Sequence, residues 1–263
     1  MRKAAVFFAL GILCASAVFA DNFSVKKKTA AAPIAKPAAA FQVGEKLAYD
    51  AFWFGIPVGE GTLEVREKGE RAGRPAYHLV AYARNNDFLA RLYPIEDEIH
   101  SWLAADDLSC LEFSKKLREG RYRADERIVY DYTKKKGFYE SLHNSSRKEF
   151  DVSGPSRDLL GTFFWFRLQP VEVGRSVKTL VNSEEKNWSV ELKILRREEK
   201  ELRNAGVLDT FVVEPVTRLK GVLYDRGRAW VHFTADARRL PAVITIQTPY
   251  GPILGVLRVP KRL

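Results

Sequence analysis

Thiol chemistry has almost nothing to work with in this chain. Only two of 263 residues are cysteine, and Cys14 falls inside an amino-terminal stretch that reads as a cleavable leader. The single thiol left, Cys110, cannot form an internal disulfide, so the fold must be held by its core. Histidine is scarce too, with four residues isolated at 78, 100, 143 and 232. The sequence holds no HExxH pair, no serine in a nucleophile elbow and no glycine loop of the phosphate-cradling kind. Long apolar runs are also missing. Residues 4–17 are shorter than the about 20 that a spanning helix needs, and no later stretch approaches that length without charges. These absences argue against zinc-peptidase, α/β-hydrolase and P-loop chemistry, and against a transmembrane span in the mature chain.

What is present begins with the leader. Arg2 and Lys3, the apolar run and the small residue at Ala20 form a signal peptide over residues 1–20, with the mature chain starting at Asp21. Cys14 follows Leu13 rather than the small residue that lipid attachment requires, and cleavage after Ala20 removes it. Residues 21–40, rich in Lys, Ala and Pro, have no structural period and few large apolar groups to offset ordering entropy, so they read as a flexible tether. The formal charge of +10 is therefore unevenly placed. Two charges leave with the leader and a net three sit on the tether, leaving +5 on residues 41–263. Export makes nucleic acid an unsuitable partner, and that balance fits an ordinary surface as well as one near anionic lipids or glycans.

From Phe41 onward the dominant period is two. Residues 229–247 form two alternating runs joined at Asp236, a residue able to bond its own backbone and set a turn, with Pro241 suited to a strand start. Residues 46–54 carry Leu47, Tyr49 and Trp53 on one face and Ala48, Phe52 and Phe54 on the other, and a turn is expected at residues 55–59. Residues 76–83 are likewise apolar on both faces, which predicts cover on both. Further strands are expected near residues 61–67, 95–103, 110–117, 122–132, 138–142, 176–182, 187–195, 208–214 and 253–259. Phe88, Leu89 and Leu92 fit a helical turn. Residues 156–168 predict the one full helix, capped by Ser156, with Asp158 in its first turn, Leu159, Leu160, Phe163, Phe164 and Leu168 on one side, and Pro170 ending it.

Each residue set with chemical potential also has a plainer reading. Glu96, Glu98 and His100 alternate on one strand face and would converge on a metal only with a closing ligand that the sequence does not supply; a solvated face explains them. Cys110 reads as a small buried hydrophobe, and Asp236, Arg238 and Arg239 as a turn residue with two solvated arginines. The aromatic residues are the least ordinary feature. Phe52, Trp53, Tyr77, Tyr82, Phe163, Phe164 and Trp165 exceed the needs of one flat face, and both core packing and the lining of a ligand cavity satisfy them.

The phrases FQVGEKLAYDAFWFGIPVGEGTLEV, LYPIEDEIHSWL, RDLLGTFFWFRLQPVEVG and RAWVHFTADARRLPAVI together resemble a family of exported bacterial proteins known as domain of unknown function 3108. Gly44, Glu45, Gly55, Gly59, Asp158, Arg167, Gly174, Trp230, Asp236, Arg239 and Pro241 stand at positions of its pattern. The stretch from Trp230 to Pro241 is also similar to a strand pair in periplasmic lipoprotein carriers of the LolA and LolB kind, which implies a curved open sheet around an apolar cavity lidded by helices.

The sequence thus predicts a mainly β fold: a strongly curved antiparallel sheet or open β-barrel with one packed helix, as a single domain over residues 41–263 in the periplasm or cell envelope. The expected function is non-enzymatic binding or carriage of a lipid or acylated molecule by the seven aromatic residues named above. The alternative is a structural or interaction module for another envelope protein or a glycan. No catalytic residue, metal ligand or cofactor is indicated.

Overall fold

Alternating inward and outward side chains over most of the chain make strands. The computed structural model describes residues 41–202, 206–219, 222–223 and 228–259; the leader and tether expected at residues 1–40 lie outside the described residues. The first half of the chain contributes β1 (Lys46–Trp53), β2 (Ile56–Arg71), β3 (Arg74–Asn85), β4 (Glu96–Ala104), β5 (Cys110–Glu119), β6 (Tyr122–Asp131), β7 (Lys136–Ser141) and β8 (Arg147–Asp151). The second contributes β9 (Ser176–Ser183), β10 (Lys186–Leu202), β11 (Gly206–Leu219), β12 (Val222–Leu223), β13 (Ala229–Thr234), β14 (Pro241–Thr248) and β15 (Gly251–Leu257). Two helices are described: the single turn α1 (Asp87–Ala90) and α2 (Leu159–Arg167).

One sheet holds all fifteen strands in the order β8-β7-β6-β5-β4-β3-β2-β1-β15-β14-β13-β11-β10-β9, with β12 pairing only with β11. The pairings are antiparallel, and β1 meets β15 with Tyr49 opposite Leu257. Each half of the chain is thus a meander, and the two join at the sheet's centre. Extra residues at Ala51/Phe52, Val65/Glu67, Trp102/Leu103, Ile194/Arg196 and His232/Phe233 bend the ladders, as bulges do. Several strands outrun their apolar pattern. Beyond Leu195, β10 and β11 continue with Arg197 paired to Asp209 and Thr210 Oγ1 donating to Glu198 O at 2.9 Å, because ladder hydrogen bonds need no apolar side chains. The first turn also differs from expectation. It is the two-residue turn Phe54-Gly55, both at positive φ, and residues 56–59 already belong to β2.

No ladder joins β8 to β9. The seam between them is sewn by the segment after β8, where Arg157 forms a parallel bridge with Val181 and bonds Leu180 O and Asn182 N at 2.9 and 2.8 Å. Asn187 Nδ2 donates to Asp151 O at 2.8 Å and Tyr130 Oη to Asn182 Oδ1 at 3.1 Å. This sewing displaces the helix start. The Ser156 carbonyl accepts from Cys110 N at 2.8 Å, and the cap is Asp158, whose Oδ1 accepts from Gly161 N at 2.7 Å.

Helix α2 lies inside the curve of the sheet, and residues on every side of it are buried. A helix with no polar face belongs in a core. Phe164 and Leu160 pack with Val65, Leu79, Leu103 and Ile128 in the core of the first meander; Phe166 packs with Trp188, Val190, Val213 and Phe233 in that of the second. Its far end is fastened by charge. Arg167 is buried against Glu45 and also donates to Arg238 O at 2.9 Å. Arg239 is not solvated as expected. It takes φ 46°, which turns its guanidinium inward to Gln169 O and, at 3.3 Å, to Arg167 O. A cation is favoured at such a terminus, where carbonyls are left without helical partners.

Candidate functional site

An apolar cavity of about 150 Å³ lies between α2 and the central strands. Strand alternation explains its wall. Tyr49 and Ala51 of β1, Gly61 and Leu63 of β2, Ala81 and Ala83 of β3, and Ile99 of β4 share the inner face, and so do Ile244, Ile246, Ile253 and Gly255 across the central seam. Leu159, Leu160 and Phe163 of α2 form the lid. The space exists because small residues face one another: Gly61 is opposite Ala83, and Ala51 opposite Gly255. The cavity is partly open to the outside, and walls of such groups suit a small apolar guest.

Two polar features border this wall. Tyr49 Oη donates to Pro241 O at 2.9 Å, and burial pushes its phenol pKa up. Asp97, opposite Ala83 on the same inner face, accepts from Arg118 N at 2.9 Å. Beside it the Glu119 carboxyl is pushed up to about 8, chiefly by burial and then by the Asp97 charge. Burial raises Asp97 as well. Asp97 Oδ2 and Glu119 Oε2 are buried without a hydrogen-bond partner among the described residues.

The seven aromatic residues expected to gather at a cavity do not all meet. Phe163 and Tyr82 border it, but the Tyr82 hydroxyl turns to the outer face and donates to Glu96 at 3.2 Å. Phe164 and Tyr77 fill the core below, each edge-on to Phe41 at ring distances of 5.2 and 5.5 Å. Trp165 stacks under the Arg157 guanidinium at 4.6 Å. Phe52 pairs with Leu254, off the inner-face register, and Trp53 stands exposed at the sheet's end, its Nε1 donating to Tyr250 O at 2.9 Å. The signal that marks the cavity is small residues on the inner face of adjacent strands, Gly61 on β2 with Ala81-x-Ala83 on β3.

Elsewhere the titratable groups engage one another. On the outer face, Glu67, His78 and His100 form a chain at 3.0 Å steps that ends at Glu98, 3.2 Å from His100. Trp102 stacks on His78 at 4.3 Å. Among the described residues no three His, Cys, Asp or Glu side chains converge as a metal would require. Cys110 is fully buried and its thiol pKa is raised, first by that burial and then by Asp158. No helix among the described residues is long and apolar enough to cross a membrane.

Comparison with known proteins bears on the fold. A β-barrel-like protein of domain of unknown function DUF1849 from Brucella abortus superposes with a TM-score of 0.52 at 9% identity, covering 81% of this chain and 94% of that one. A Bacteroides fragilis protein with a YmcC-like fold gives 0.34 at 10% identity over 82% of this chain and 95% of its own. The first supports the barrel-like architecture alone. No curated protein sequence matches the chain. Residues 48–258, however, match the family described as protein of unknown function DUF3108, and the chain belongs to that family.

Proposed function

We propose that the protein binds an apolar, chain-bearing molecule of the cell envelope, a lipid or an acylated partner, without transforming it. The observation that carries this reading is the wall of Leu, Ile and Phe side chains around positions held open by Gly and Ala, lidded by α2. Phe163 and Leu160 on the lid and Leu63, Ile99 and Ile244 on the sheet are the contacts assigned to the guest. The likeness of residues 230–241 to lipoprotein carriers supports the class of ligand, and the leader-like residues 1–20 support a periplasmic or envelope location. At rest the cavity holds a short apolar segment, so a whole acyl chain requires the lid or sheet to give way.

The test is binding of a fluorescent fatty acid, alongside native mass spectrometry and organic extraction of the purified protein. Ala83→Leu and Ala81→Leu grow side chains into the cavity and should abolish probe binding while circular dichroism stays that of the parent. A well-folded parent that carries no lipid and binds no probe would overturn the reading in favour of an interaction module for an envelope protein or glycan.

A further inference from the structure

Nine of the fourteen exposed large hydrophobic residues described lie in or beside turns at one end of the sheet. Antiparallel order sets this end: the β1–β2, β3–β4, β5–β6, β7–β8 and β14–β15 connections all emerge there. Phe88 and Leu92, near α1, are 72% and 77% exposed, and Phe54, Ile56 and Tyr250 more than 60%. Four of these turns form a continuous rim. Trp53 Nε1 bonds Tyr250 O at 2.9 Å, Asn86 Nδ2 bonds Pro57 O at 2.8 Å, and Gly120 N bonds Pro94 O at 2.7 Å.

Phe54 is the most telling member. It occupies the first position of a two-residue hairpin turn at φ 49°, followed by Gly55 at 77°. Asn, Asp or Gly is usual there, and a bulky residue at positive φ is strained. Its ring rests over Gly251, where a Cβ would collide with it. Backbone strain held to present an exposed aromatic ring points to a contact outside the chain.

Charge identifies the partner. The four linked turns and the strand ends beside them carry Arg91, Arg121 and Arg123, all exposed, against two exposed carboxylates, Asp87 and Glu96. Among the described residues none of these arginines has an ion-pair partner; Arg123 bonds the carbonyls of Gly120 and Tyr122 at 2.8 Å. The opposite end of the sheet is different, with Asp106, Asp107, Lys134, Asp236 and Arg238 of both signs. Tryptophan, tyrosine and arginine set among protruding Phe, Ile and Leu tips match the interface of an anionic bilayer, where amphipathic rings sit at headgroup level and cations meet phosphates. Separate convex tips also suit a fluid surface better than a rigid one.

We infer that this rim docks the protein onto an anionic lipid surface, inserting Phe54, Ile56, Phe88 and Leu92 while Arg91, Arg121 and Arg123 meet the headgroups. The inference stands apart from the cavity, because docking needs no guest within.

Cosedimentation of the full chain with vesicles of equal parts phosphatidylglycerol and phosphatidylethanolamine tests it. Phe88→Ser with Leu92→Ser should weaken binding at least tenfold; neither side chain is buried, so the fold is not threatened. Val207→Ser, an equally exposed change at the other end, should leave binding unchanged, as should the cavity-filling Ala83→Leu. Arg121→Gln with Arg123→Gln should weaken binding to these vesicles and have no effect on phosphatidylcholine vesicles. Parent protein that ignores vesicles, or a Phe88/Leu92 variant that binds like the parent, overturns the inference. Concentration-dependent self-association abolished by the same variant, without vesicle binding, would make the rim a contact between copies of the chain and also overturn it.

Discussion

Arg167 and Glu45, 122 positions apart in the chain, meet through two hydrogen bonds, Nη1 to Oε1 at 2.5 Å and Nη2 to Oε2 at 2.8 Å. The guanidinium is 1% exposed. This pair fastens the end of α2 to the edge of β1, where Glu45 O also accepts from Val65 N of β2 at 2.9 Å.

Removing one partner leaves the other charge buried. Glu45→Ala is expected to cost about 3–5 kcal/mol in denaturant unfolding, and the joint change Glu45→Leu with Arg167→Met to recover much of that loss. A single variant no less stable than the parent would show that the pair does not anchor the helix.

The Asp97 and Glu119 carboxyls make stability depend on pH. In the unfolded chain Glu119 releases its proton near 4.5, whereas the folded protein holds it to about 8. The folded state therefore binds more protons between those values, and the contribution of this group, fully present below 4.5, is lost as pH rises toward 8. Asp97, also raised, adds a slope of the same sign. Denaturant midpoints measured across this window should fall with rising pH, and Glu119→Gln should flatten the fall. An unchanged slope in that variant would assign the effect to other groups.

Two glycines make opposite predictions. A Cβ at Gly255 would meet Ile244 and Tyr49 at 3.9 Å, an ordinary contact, and its φ is not positive. Gly255→Ala should raise stability by about 0.5–1 kcal/mol through reduced freedom of the unfolded chain. At Gly137 the same atom would enter the Phe150 ring, so Gly137→Ala should lower the melting temperature.

Mass spectrometry of the exported protein should find Asp21 at the amino terminus, following removal of residues 1–20. A chain beginning at a lipid-modified Cys14 would replace a free protein with an anchored one.

The strands and α2 were legible because their apolar residues recur at periods of two and about 3.6, and the turn at Asp236 because its carboxylate bonds its own backbone, accepting from Arg239 N at 3.2 Å. Less legible features have physical causes. Ser156 looks like a helix cap, but its carbonyl is taken by Cys110 N of β5 and the chain passes through the seam at Arg157 before the helix begins. Phe88 and Leu92, at helical spacing, look like a buried face, yet no other element covers them. Arg239 looks like surface charge until a left-handed φ turns it inward. β8 has one apolar residue in five, Phe150, and exists as a strand through its ladder to β7. The cavity is written in residues of little volume, which periodicity registers only as gaps. Family-pattern positions Glu45, Asp158, Arg167 and Arg239 meet the two ends of α2, and Asp236 sets the turn that carries Arg239, so these positions of the pattern record how the helix is fastened.

The seam between β8 and β9 is the weak line of the curved sheet, which no ladder closes. Elsewhere, circumferential stress is borne by ladders of hydrogen bonds that must break together; at the seam it falls on one short bridge at Arg157 and a few side-chain bonds from Asn182 and Asn187. Widening is therefore cheapest there, and the segment that would give way, residues 152–158, runs directly into α2. Amides of Arg157 and Asn182 should exchange with deuterium sooner than those of the β2–β3 ladder, and slow exchange at both would show the curved sheet to be uniform. If it opens as expected, the girth of the curved sheet is adjustable at one line, so the cavity of about 150 Å³ can widen without dismantling either meander.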